Sequence, residues 1–183
     1  MDPQSVIRKS AIKHLIQHLD IEQIINQKSK IINRILFHKT VATAGGIGYI
    51  GKGSGTVAAV AYCIVWFFLA EKIPVIWQVL GWITITLLGV YSSNKVENLW
   101  GHDSNKVVID EVSGMMFTLL WMPVTWQYLL AGLVLFRFFD IVKPLGIRKA
   151  ENLPGGWGVM ADDVQAGIYS QILMQVLLAA NLF

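Results

Sequence analysis

Five carboxylates and four cations of this 183-residue chain stand where they could do chemistry: Asp110, Glu111, Asp140, Asp162 and Asp163, with Lys52, Arg137, Lys143 and Arg148. Asp110-Glu111 abuts an apolar stretch, and the 25 residues from Val112 to Phe136 carry no charge. An ionised side chain at bilayer depth costs roughly 2.5–3.5 kcal/mol, so such a pair requires a cation, a partner or a water-filled cavity. Arg137 and Asp140 are spaced i, i+3, as are Asp140 and Lys143, which puts each pair on one helical face. Gly114 and Gly167 follow Asp110 and Asp163 by one turn and leave room for a helix or a headgroup to come close. Carboxylates without a Cys/His cluster suit a hard cation such as Mg2+ rather than zinc, and the basic residues suit a phosphate. The competing reading is a salt-bridge network that staples helices together.

The elements that must position these residues are apolar. The composition is 54% hydrophobic and 15% charged, against about 25% charged in ordinary soluble domains, which points to a membrane protein. A net charge of +3 on so apolar a background does not argue for nucleic acid as a partner. The single cysteine, Cys63, lies in an apolar run and reads as a small buried hydrophobe. No cleavable signal pattern opens the chain.

Residues 1–39 form an amphipathic helical extension. Ile12, Leu15, Ile16 and Leu19, and later Ile31, Ile32, Ile35 and Leu36, recur at helical spacing, with a break expected at 26–29. Its basic face suits either an anionic leaflet or packing on the rest of the protein. His14 and His18 have metal-ligand spacing but no third ligand, and read as surface residues. Residues 40–56 are glycine-rich and include Lys52. They read equally as an anion-binding loop ahead of a helix and as a flexible turn before a membrane span.

Residues 40–183 are expected to form an all-α, polytopic helical membrane bundle. Uncharged runs cover 53–70, 75–94 and 164–183, each about 27–30 Å long as a helix. The run 112–136 reads as a hairpin broken near Pro123, because that returns Arg137 and Asp140 to the side of Asp110. With five spans, the basic residues divide 14 to one, Lys72 alone facing the other side. This places the N-terminus and every charged motif in the cytoplasm.

Three runs in order resemble the phosphatidylglycerophosphatase A family: His102-Asp103 with Val108-Ile109-Asp110-Glu111-Val112-Ser113-Gly114; Arg137-Phe138-Phe139-Asp140-Ile141-Val142-Lys143-Pro144; and Gly155-Gly156-Trp157-Gly158-Val159-Met160-Ala161-Asp162-Asp163 through Gly167. The likeness runs from about residue 40 to the C-terminus. Lys143-Pro144-Leu145-Gly146-Ile147 departs from the family's Lys-Pro-x-Pro-Ile. The resemblance implies a Mg2+-dependent enzyme of the bacterial inner membrane that hydrolyses phosphatidylglycerophosphate to phosphatidylglycerol and phosphate during phospholipid biosynthesis. On that basis Asp110, Glu111, Asp140, Asp162 and Asp163 are expected to share the metal, with Asp110, Glu111, Asp140 and Asp163 catalytic. Lys52, Arg137, Lys143 and Arg148 are expected to bind the substrate phosphate. A metal-activated water is the expected nucleophile and an aspartyl-phosphate the competing route. A small membrane transporter and a non-catalytic assembly factor are the alternative functions.

Overall fold

A computed structural model describes residues 3–101 and 104–181; His102 and Asp103, part of the first motif, lie outside the described residues. All regular structure among the described residues is helical. The helices are α1 (Pro3–Ala42), α2 (Ser54–Leu69), α3 (Val75–Trp100), α4 (Ile109–Leu119), α5 (Trp126–Val142), α6 (Ile147–Ala150) and α7 (Gly156–Ala179).

The chain divides into two compact units, the first ending at Phe37 and the second beginning at His38. In the first unit α1 runs without interruption through 26–29, where the sequence suggests a break. The segment contains neither Gly nor Pro, and Asn, Gln, Lys and Ser each lower helix propensity by only about 0.7 kcal/mol or less. Ile7, Ile12, Leu15, Ile16, Ile24 and Ile31 are exposed. His14 is exposed too, and the side chain of His18 lies outside the described residues.

In the second unit α4 and α7 pack against each other most extensively. α4 contributes Met115 and Leu119 to the core, α5 Phe136 and α7 Met174, all fully buried. A smaller cluster of Val90, Val96, Ile109 and Met160 lies beside α3. Two segments, Ser54–Lys72 and Val75–Trp100, are long and apolar enough to cross a bilayer. Pro74 starts α3 after the Glu71–Ile73 turn, fixing φ at a helix-compatible value while donating no N–H.

The uncharged run 112–136 is a helical hairpin. α4 stops at Leu119, Pro123 lies in the turn, and α5 returns the chain so that Asp110 and Asp140 reach one cavity. α4 has only 11 residues, about 16 Å, so its C-terminal carbonyls end inside the protein. One is satisfied by a distant residue: Gln171 Nε2 on α7 donates to the Leu120 carbonyl at 2.6 Å. α7 begins before its uncharged run, with the Gly156 N–H donating to Asn94 Oδ1 of α3 at 2.7 Å. Asp162 and Asp163 therefore lie in its second turn.

Candidate active site

The heads of α2, α4 and α7 and the end of α5 enclose an open cavity of about 680 Å3. α4 brings Asp110 and Glu111 in its first turn, α7 brings Asp162 and Asp163, and α5 brings Arg137 and Asp140 one turn before its end. Lys143 follows directly, in a left-handed conformation (φ 48°, ψ 52°) that terminates α5 before Pro144. Lys52 stands exposed at the rim.

The glycine-rich loop forms one wall. Gly48, Gly51, Gly53, Ser54 and Gly55 line the cavity, and the first turn of α2 opens onto it, so its N–H groups add positive potential there. Gly55 lies against Glu111: a Cβ there would push aside the Oε1 end of that side chain.

Two of the five carboxylates are paired with cations. Arg137 Nη1 bonds Asp140 Oδ2 at 2.5 Å, and Lys143 Nζ bonds Asp162 Oδ2 at 2.5 Å and Glu151 Oε1 at 2.6 Å. The other three form a cluster, with one oxygen each from Asp110, Glu111 and Asp163 within 4.8 Å of one another. None of these three has an ion-pair partner among the described residues. Asp110 Oδ1, Glu111 Oε2, Asp162 Oδ1 and Arg137 Nε are buried and find no hydrogen-bond partner among the described residues.

The proton affinities follow from this crowding, at the polar ends of the helices and outside the uncharged runs. Burial pushes the Asp110 carboxyl up to about 6, and the Asp162 charge adds to the effect against a hydrogen bond with Glu111. Glu111 rises much further, through burial first and then the charge of Asp110. Asp163 is raised by burial and by Asp140, Asp110, Glu111 and Asp162 together. Asp162 is raised by burial although Lys143 opposes it. At Lys143 burial acts to lower the pKa, but the hydrogen bonds to Asp162 and Glu151 outweigh it and hold the ammonium charged. Protein groups alone do not compensate the three clustered acids. A divalent cation would, and an all-oxygen donor set with buried, unpartnered oxygens fits Mg2+.

Seven of the expected site residues line this one cavity with Lys52: Asp110, Glu111, Arg137, Asp140, Lys143, Asp162 and Asp163. Arg148 lies on α6, exposed and outside the lining. Ser104, Asn105 and Lys106 form a wall that the sequence reading does not identify. Their signal is weak: the Lys106 carbonyl packs where a Cβ of Gly48 would be, while its ammonium lies 5.4 Å from the Trp100 ring centroid. Glu151, the second partner of Lys143, is a further unmarked contributor.

The family model described as Phosphatidylglycerophosphatase A matches residues 40–178. A Bacteroides thetaiotaomicron protein, provisionally named a phosphatidylinositol-3-phosphatase, is 41% identical over 143 residues, covering 74% of this chain and 90% of the relative. A Haemophilus influenzae phosphatidylglycerophosphatase A is 37% identical over 137 residues (73% and 84%). That of Escherichia coli is 35% identical over 136 residues (71% and 76%). No solved structure matches the chain. A family match over most of the chain, agreeing with relatives 35–37% identical to it, makes this protein a phosphatase and a member of the phosphatidylglycerophosphatase A family.

Proposed function

We propose that the chain hydrolyses the terminal phosphate of phosphatidylglycerophosphate to give phosphatidylglycerol, as a Mg2+-dependent step of bacterial phospholipid biosynthesis. The observation that carries this reading is one cavity holding three uncompensated carboxylates, Asp110, Glu111 and Asp163, beside a guanidinium with a buried, unpartnered Nε. The proposed topology is a multi-pass bundle in the inner membrane, with α4–α5 as a short hairpin and the cavity facing the cytoplasm. The 14-to-one division of Lys and Arg supports that orientation.

Asp110, Glu111 and Asp163 would hold the cation, with Asp140 and Asp162 completing the shell directly or through water. When bound, Mg2+ supplies charge neutralisation for the phosphoryl group and a more acidic water. Asp140 fixes one edge of Arg137 and leaves Nε free to bond the non-bridging phosphate oxygens. Lys143 and Lys52 add positive charge on the same side, and the first turn of α2 adds its N–H groups. A water adds to phosphorus in line with the departing lipid oxygen. The P–O bond to the lipid breaks, and a carboxylate of the cluster takes a proton from the water and passes it to the departing lipid oxygen, which leaves as the hydroxyl. An aspartyl-phosphate is the competing route, and acid-quench trapping of a phosphorylated chain would establish it.

Purified chain in detergent should release phosphate from phosphatidylglycerophosphate with Mg2+ and stop when the cation is chelated. No release by the wild type, or full activity in both Asp110→Asn and Asp163→Asn, would overturn the reading. The 41% identity to the Bacteroides relative favours a second substrate, phosphatidylinositol 3-phosphate. Running both lipids side by side decides between them. Both readings keep the same phosphomonoester chemistry and differ only in headgroup.

A further inference from the structure

A second, apolar cavity of about 440 Å3 opens between α3 and α7, lined by Val90 and Thr86 on one side and by Trp157, Ala161, Val164 and Ile168 on the other. We propose that this groove seats one acyl chain of the phospholipid substrate, an inference that rests on the lipid-phosphatase reading above.

Continuity with the catalytic cavity is the first argument. Asp162, which faces the active site and bonds Lys143, is flanked on α7 by Ala161, which lines the groove. Gln165 and Tyr169 follow Asp162 at i+3 and i+7, so all three share a helical face. Gln165 Nε2 donates to Tyr169 Oη at 2.9 Å, and Tyr169 Oη donates to the Leu145 carbonyl at 3.3 Å. Gln165 and Tyr169 thus give the groove a polar edge leading away from Asp162, beside the apolar side chains of Val164 and Ile168. A phospholipid offers both kinds of group, a phosphate with ester-linked glycerol for the polar edge and hydrocarbon for the apolar wall.

The dimensions agree. From Asp162 to Tyr169 the groove follows α7 for about 10 Å, which fits within the roughly 15 Å of hydrocarbon in one leaflet. The other apolar groove on the spanning helices, bordered by Tyr62, Trp77 and Met116, is smaller, at about 180 Å3. It lies toward the α2–α3 turn, the end of those helices remote from the catalytic cavity. Of the two, it is the α3–α7 groove that lies beside the phosphate site.

The test compares long-chain phosphatidylglycerophosphate with its deacylated, water-soluble headgroup. Ile168→Trp should lower kcat/KM for the long-chain lipid roughly tenfold, equivalent to losing the burial of about two methylenes, and leave the deacylated substrate unchanged. Ile172→Trp, on α7 but outside the groove, should alter neither. An equal fall on both substrates, or none on either, overturns the groove assignment while leaving the hydrolase reading intact. Absence of wild-type activity on both substrates instead overturns the hydrolase reading. A photoreactive acyl analogue of the substrate probes the groove independently of turnover. It should label α7 between residues 157 and 169 and be displaced by unlabelled substrate. Labelling elsewhere, or labelling that excess substrate does not displace, would mean bulk bilayer lipid only and would overturn the proposal.

Discussion

Gly114 of α4 and Gly167 of α7 meet backbone to backbone. A Cβ on Gly167 would lie 2.5 Å from the Gly114 carbonyl oxygen, and a Cβ on Gly114 would lie 2.5 Å from the Asp163 carbonyl oxygen. The contact sits one turn beyond Asp110 on one helix and one turn beyond Asp163 on the other, with the Phe136 ring also pressed against Gly114. It sets the distance between the two acids, which come from parts of the chain 53 residues apart.

Gly167→Ala should therefore act at a distance from its own position. The added methyl meets backbone on its near side, which cannot rotate away, so a loss of about 1–3 kcal/mol is expected. Thermal unfolding in detergent measures it. Phosphate release should fall more than the folded fraction does, because the separation of Asp110 and Asp163 changes with the helix spacing.

The three clustered acids and Asp162 should respond differently to substitution. Asp110→Asn and Asp163→Asn each remove a charge that would face the cation, and are expected to reduce kcat/KM roughly 100-fold or more. Both should also raise the Mg2+ concentration needed for half-maximal activity. Asp162→Asn leaves the cluster intact and releases Lys143 from one partner, so its Mg2+ requirement should move least. Titrating activity with Mg2+ for the three variants checks the order.

Arg137→Lys keeps the charge and loses the planar fork. With Asp140 holding one edge of the guanidinium, the remaining donors are oriented in a way that an ammonium cannot reproduce. A fall of about 100-fold in kcat/KM is expected, with little change in unfolding temperature. An unaltered kcat/KM would remove Arg137 from the phosphate site.

Cation-free protein should lose stability as pH rises. Asp110, Glu111 and Asp163 all bind protons more tightly when folded than when unfolded. Between the ordinary carboxylate value near 4 and the raised folded values, the native state holds more protons, so unfolding becomes easier with each step upward. In chelator the melting temperature should decline from about pH 4 through pH 6, where Asp110 titrates, and keep declining above it because Glu111 is raised much further. Saturating Mg2+ should flatten or reverse that slope.

Much of the site was legible because it breaks local rules. Asp110-Glu111 and Asp162-Asp163 interrupt stretches that are otherwise uncharged, and such positions are tolerable with a cation, a partner or a polar cavity beside them. The turn at Pro123 was legible for a similar reason: a helix carried through it would have separated Asp110 from Asp140. The wall formed by Ser104–Lys106 was not legible, because much of it is backbone and no residue type marks it. The link from Lys143 to both Asp162 and Glu151 spans 19 and eight residues, and depends on how far a flexible side chain reaches. Arg148 resembled a phosphate ligand by charge and proximity in sequence, but one turn of α6 carries it to the outer surface. In α1, weak polar interruptions were overruled by cooperative helix propagation over 40 residues.

The bond from Gln171 to the Leu120 carbonyl has a consequence for how the molecule is made. α4 ends within the protein, and on the bilayer reading nothing in lipid could satisfy that carbonyl. Its partner belongs to the last helix, which leaves the ribosome some fifty residues later. On that reading the α4–α5 hairpin keeps an unsatisfied carbonyl until then. α7 thus carries two duties, bringing Asp163 to the site and closing the buried far end of the helix that holds Asp110.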